Sequence, residues 1–242
     1  MPRGQPDYGV YAAKELAAGA ADLGEAAARL GSIVTYDRRG DVLLLDDFED
    51  DLAAWEIETS GAGASVKVST EHKLRGFCSM KLVAGSNVNR YAKATLHWGP
   101  VPAARFGLEV AYTMDAHMES AESGCNYYSG AYKISMGCKF DMVNKKLYVL
   151  TTGGLYQEVP VVILPVCSPY VFYFIKGVFD VNLLTYIRGI VAMLSFDLSS
   201  IPLSVMPDFT SPMFESYIKL ISLAGYNAIS YLDSAIITFN EP

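Results

Sequence analysis

The chain has 242 residues, of which 51% are hydrophobic, 19% charged and 12% aromatic, and its formal net charge is −7. That apolar share supplies a packed core and excludes a disordered or collagenous chain, while the acid excess excludes general binding to nucleic-acid phosphates. The length accommodates one large all-β domain or two small domains.

The first 35 residues read differently from the rest. They open without the basic and apolar stretches of a secretory leader, so no signal peptide is expected. From Tyr8 to Leu30 they are alanine-rich and poor in β-branched residues, which favours helix. Ala13, Leu16, Ala20, Leu23, Ala27 and Leu30 recur at spacings of three and four, a narrow seam with alanine on one side and leucine on the other. Asp7 is placed to cap the start and Gly31 to end it. Gly19 and Gly24 weaken the segment in isolation, so it needs a partner surface. Two readings stand: a helix packed on its own domain, and an assembly arm that docks on a neighbouring subunit. Its position ahead of the β region favours the arm, giving an expected division into a helical arm at 1–35 and a β domain at 36–242.

From residue 41 the pattern turns to strands rich in β-branched and aromatic residues, expected at 42–45, 65–69, 77–83, 90–98 and 106–114. Further strands follow at 131–140, 146–151 and 156–163, with hairpin punctuation at Asn144-Lys145 and Gly153-Gly154. The remainder gives 170–179, 186–193, 195–198, 216–223 and 229–239, with residues 123–130 read as a loop tip and 199–214, holding Pro202, Pro207 and Pro212, as a surface loop. Strands at this spacing, without amphipathic helices between them, point to a mainly β fold, a two-sheet antiparallel jelly-roll sandwich. The charge-free run 159–175 is interrupted by Pro160, Pro165 and Pro169, and a membrane helix wants about 20 uninterrupted apolar residues. No membrane insertion is expected.

Cys78, Cys125, Cys138 and Cys167 are too unevenly spaced for a zinc site. Buried free thiols are the expectation, with one Cys125–Cys138 bridge across a hairpin as the alternative. Catalytic signatures are missing: there is no phosphate-binding glycine loop, no nucleophile elbow and no Glu-x-Asp-x-x-Glu strand. His72, His97 and His117 are scattered, and His117-Met118-Glu119 lacks the Pro-Cys-x-x-Cys that a deaminase needs. The chain therefore reads as a non-enzyme.

The densest local feature is Asp46-Asp47-Phe48-Glu49-Asp50-Asp51, followed by Trp55. Five carboxylates this close repel one another unless solvent or a cation screens them. Phe48-Glu49, then Gly76-Phe77-Cys78-Ser79-Met80-Lys81-Leu82, then Tyr231-Leu232-Asp233-Ser234-Ala235 form an ordered set. This set, spanning 42–239, resembles the calcium-stabilised jelly-roll carbohydrate-binding modules of the concanavalin-like kind. The resemblance implies a structural Ca²⁺ held by the side chains of Glu49 and Asp233 and the backbone carbonyl of Lys81, tying the first strand to the last. A polar contact between those strands is the alternative, and Ser234 stands where many such modules carry a second acid. It also implies sugar binding through exposed aromatics and amides, for which Trp98, Asn126, Tyr127 and Tyr128 are the candidates; ordinary core and rim aromatics are the alternative.

The whole chain also resembles, loosely, virion proteins of tailed phages. That resemblance, the arm, and an apolar surplus after residue 146 lead to a first expectation of a structural, self-assembling virion protein, a decoration, spike or tail component. Its partners would be copies of itself or other capsid or tail subunits, in a virion or another extracellular assembly. The alternative expectation is a carbohydrate-binding module that recognises a surface glycan.

Overall fold

The computed structural model describes residues 40–87, 90–162, 165–191 and 194–242. The helix expected at 1–35, with its seam from Ala13 to Leu30, lies outside them. In chain order the first strands are β1 (Asp41–Asp46), β2 (Trp55–Ser60), β3 (Ser65–Ser69), β4 (Ser79–Val83) and β5 (Tyr91–Trp98). Next come β6 (Arg105–Met114), β7 (Met118–Tyr128), β8 (Tyr132–Asp141), β9 (Lys146–Thr151) and β10 (Leu155–Val162). The last are β11 (Ser168–Asp180), β12 (Thr185–Val191), β13 (Leu194–Asp197), β14 (Ser204–Pro207), β15 (Met213–Ser222) and β16 (Ile229–Phe239).

These pair into two eight-stranded sheets. Sheet I runs β13-β12-β11-β6-β16-β4-β3, with β1 also on β16; sheet II runs β10-β9-β8-β7-β15-β5-β2, with β14 also on β8. All pairings between strands are antiparallel. The period-two pattern of β15 shows how sequence sets the layers. Phe214, Ser216, Ile218 and Leu220 are buried inward, while Glu215, Tyr217 and Lys219 lie on the outer face, half-buried.

Between the sheets, Phe106 of β6 stacks on Phe214 of β15 at 4.8 Å and on Phe179 of β11 at 5.7 Å. Each such ring contributes about 2–3 kcal/mol by leaving water. Cys125 and Cys138 are buried free thiols, and Cys78 and Cys167 are free as well. Cys125 stands opposite Met136 and Cys138 opposite Ser123, so the two sulfurs are offset by two positions and the hairpin makes no bridge.

One side chain ties the layers together through a fork in sheet II. Along one edge of β8, β9 pairs with Cys138–Asp141 and β14 with Tyr132–Ser135. At the fork between them, the hydroxyl of Tyr186, a fully buried residue of sheet I, fills the gap. It accepts from the Gly137 amide at 3.0 Å and donates to the Leu150 carbonyl at 2.7 Å.

The stretch 123–130 is no loop tip: residues 123–128 form the second half of β7, held between β8 and β15, and only Ser129 and Gly130 belong to the turn that follows. The stretch 199–214 likewise contains β14 and the start of β15.

Candidate functional site

The acid-rich turn after β1 is organised by its own carboxylates. Asp46 accepts from the Phe48 amide at 2.9 Å and from the Trp55 indole at 2.7 Å, and Asp51 accepts from the Ala53 amide at 2.8 Å. Side-chain caps of this kind let Phe48 take a positive φ of 59° with its ring fully buried.

Glu49 and Asp233, far apart in sequence, converge on one loop, residues 74–78. Glu49 Oε1 accepts from the amides of Phe77 at 2.7 Å and Cys78 at 3.1 Å. Asp233 accepts from the amides of Leu74 at 2.8 Å and Arg75 at 3.3 Å. Gly76 allows the approach: its φ is +66°, and a Cβ there would stand 1.9 Å from Glu49 Oε1. Burial first, then repulsion from Glu49 and Asp47, pushes the Asp233 carboxyl up to about 6 against the pull of its two amides.

A calcium ion here would need oxygens aimed at one point, whereas both oxygens of Asp233 and Oε1 of Glu49 are aimed at amide hydrogens. Lys81 lies mid-strand, paired to Lys67 on one side and Tyr231 on the other, and its ammonium meets Glu71 at 2.5 Å. Among the described residues no group of three or more His, Cys, Asp or Glu is set to hold a metal. The residues do not fit a cation cage as they stand, and amide–carboxylate contacts close this end of the sandwich. A chelator is accordingly expected to leave the thermal midpoint unchanged; a fall of several degrees would restore the ion to this site.

The outer face of sheet II carries a groove of 490 Å³ that crosses β2, β5, β15, β7 and β8. Register lays its side chains out in rows. One row reads Glu58, Lys93, Lys219, Glu122 and Lys139 on successive strands. The ammonium of Lys93 lies over the Tyr217 ring at 5.7 Å, and that of Lys219 over the Tyr91 ring at 5.4 Å. Tyr91 is hydrogen-bonded to Glu58, which holds its phenol above the usual value. Tyr217 lies across Gly124, where a Cβ would stand 2.7 Å from its hydroxyl, so glycine there lets the ring lie flat on the sheet.

A second row places His97, Glu215, Asn126 and Ser135 on neighbouring strands. Asn126 donates to Glu215 Oε1 at 2.8 Å, and the Tyr128 hydroxyl lies 3.4 Å from Oε2. Burial and the nearby Glu215 charge push the Tyr128 phenol up to about 12.

Of the four sugar-binding candidates, Asn126 and Tyr128 therefore share the outer face of sheet II. Tyr127 points the other way and packs against the core. Trp98 also packs against the core, opposite Phe214, so its indole is no open stacking platform. Sequence reasoning missed Tyr91, Lys93, Tyr217 and Lys219. The signal was present in the polar members of two alternating strands, but only their pairing across β5, β15 and β7 brings them together.

A second cavity, of 350 Å³, gathers His72, Asp115, His117 and Cys167 at the end of sheet I. His72 sits edge-on to both Tyr170 and Tyr231 at 4.7 Å, and His117 stacks on Tyr226 at 4.4 Å.

No protein-family model matches the sequence, and no curated protein matches it. Solved structures do match in shape. An endo-β-1,4-glucuronan lyase from the fungus Trichoderma reesei superposes with a TM-score of 0.55 at 6% identity, over 82% of this chain and 95% of the lyase. A carbohydrate esterase from Shiga toxin-encoding bacteriophage phi24B gives 0.53 at 13% identity, over 84% of this chain and 100% of the esterase. A Bacillus licheniformis β-glucanase gives 0.50 at 12% identity, over 81% and 97%. At such identities the likeness concerns the fold: the described residues form a concanavalin-like jelly-roll sandwich.

Proposed function

We propose that this chain is a carbohydrate-recognition domain that binds a glycan along the outer face of sheet II. The observation that carries the reading is the groove across five strands, in which tyrosine rings lie beside ammonium, carboxylate and amide groups. Rings of this kind stack on sugar faces, and the charged and amide groups bond hydroxyls, the combination that small-ligand sites use to fix orientation. The lyase, esterase and glucanase that share the sandwich are named for action on carbohydrates, which agrees with the reading.

Binding is favoured over hydrolysis by the spacing of the acids. Glu122 stands opposite Lys219, four positions along β15 from Glu215, an offset of about 13 Å along the strands. Glu215 is moreover drawn toward Asn126 and Tyr128. Glycosidase pairs work at about 5–9.5 Å. The assembly role expected for residues 1–35 falls on residues outside those described, so it adds nothing to this reading.

A glycan array on the whole chain, followed by calorimetric titration of any hit, tests the proposal. Tyr91→Ala, which removes a ring at the groove margin, is expected to weaken binding about tenfold or more with little change in melting temperature. An array without signal, or a Tyr91→Ala protein of undiminished affinity, would sink it.

A further inference from the structure

Lys93 and Lys219 face each other directly across β5 and β15, in the middle of the charged row. Like charges at opposed positions destabilise a sheet. The neighbouring acids relieve this only in part. Glu58 lies outside Lys93 and Glu122 outside Lys219, each at 3.7 Å, beyond hydrogen-bonding distance. Glu58 is also engaged by the Tyr91 hydroxyl.

The order along the row is therefore acid, lysine, lysine, acid and lysine, and the gap between the Lys93 and Lys219 ammonium groups is the one place in it where two like charges adjoin. Both lysine side chains keep about a quarter of their surface open, 26% and 29%, so a ligand in the groove can reach them. The two rings under these ammonium groups, Tyr217 and Tyr91, line the same groove. An anionic group in the gap would accept hydrogen bonds from both lysines and remove their mutual repulsion, while the sugar that bears it stacks beside the rings.

We infer that the ligand is an acidic glycan, its carboxylate or sulfate seated between Lys93 and Lys219. The inference rests on the groove being a glycan site and adds the charge of what it binds. The net charge of −7 over the whole chain does not oppose it, because the contact is local and the Debye length at physiological salt is about 8 Å.

Three probes separate the cases: polygalacturonate carries carboxylates, dextran sulfate carries sulfates, and dextran is neutral. Calorimetric titration of the full chain is expected to show at least tenfold tighter binding to one of the acidic polymers than to dextran, weakening as salt is raised. Preference between carboxylate and sulfate identifies which anion fits the gap. Lys93→Met and Lys219→Met keep the aliphatic stems, and each should lose about tenfold in affinity for the acidic polymer. Their melting temperatures should hold or rise, since repulsion is relieved; a purely structural role would lower them. Equal binding to dextran, with both variants unaffected, overturns the acidic preference and leaves the glycan site standing. Binding to none of the three polymers, together with a silent glycan array, removes the site and the inference with it.

Discussion

At the scale of single residues, Asp233 shows how a buried carboxyl can be recruited and still be under stress. Its folded-state value of about 6 stands above the ~3.9 of an unfolded chain. Between those values the folded state holds a proton that the unfolded state has shed. The group's contribution to stability is thus whole below about pH 4 and is lost as pH rises through 6. Asp47→Asn removes one of the repelling charges while sparing the amide contacts of Asp233. It should lower the Asp233 value and flatten the fall in melting temperature between pH 4 and 7. An NMR titration of the Asp233 carboxyl reads this directly, and a value equal to wild type would rule out the repulsion. The meeting of Glu49 with Asp233 at one loop was legible in the sequence from their motifs. What they meet was not: amide donors come from the path of residues 74–78, which no side-chain pattern encodes.

At the scale of elements, the fork in sheet II depends on one hydroxyl. Tyr186→Phe keeps the ring and leaves the Gly137 amide and Leu150 carbonyl without their partner, inside the protein. The expected loss is about 1–3 kcal/mol, seen as a lower urea midpoint with unchanged slope. A midpoint equal to wild type would mean that water or a closed β8–β9 ladder takes the hydroxyl's place.

Legibility of the strands follows the same physics. β3, β9 and β16 are read with the bounds that the structure gives them, because β-branched or aromatic residues recur within each. β7 has the sequence MESAESGCNYY, with no β-branched residue, and its propensity is supplied by two flanking strands. β14 is four residues long and ends on Pro207, so it exists only because β8 offers it an edge. The groove inherits this blind spot, since β7 is one of its central strands.

At the scale of the whole molecule, a buried ionic knot holds the outer side of sheet I. Glu241, 2% exposed, lies 2.7 Å from the Lys176 ammonium and 2.6 Å from the Arg188 guanidinium, and Thr238 donates to it at 2.5 Å. It joins β11, β12 and the segment after β16. Removing one member of such a set costs far more than forming the set contributes, because the remaining charges stay desolvated. Glu241→Ala should cost about 3 kcal/mol by chemical denaturation while leaving glycan binding at the far sheet intact. A loss below about 1 kcal/mol would show that the knot is solvated in practice.

The strand order has a further consequence, one of timing. β15 lies between β5 and β7, and β16 lies between β4 and β6. Each is the spine of its sheet, yet both are made after every other strand of the fold. A nascent chain leaving the ribosome therefore carries each sheet as two halves with open central edges, sheet II until residue 222 and sheet I until residue 239 has been synthesised. Those edges are where a stray strand could pair. Nucleation must also close loops of more than a hundred residues, which places refolding in the slow, millisecond-to-second range of sandwiches. The price of sealing both sheets from one end of the β region is a long exposure beforehand, and the cell would have to guard that interval.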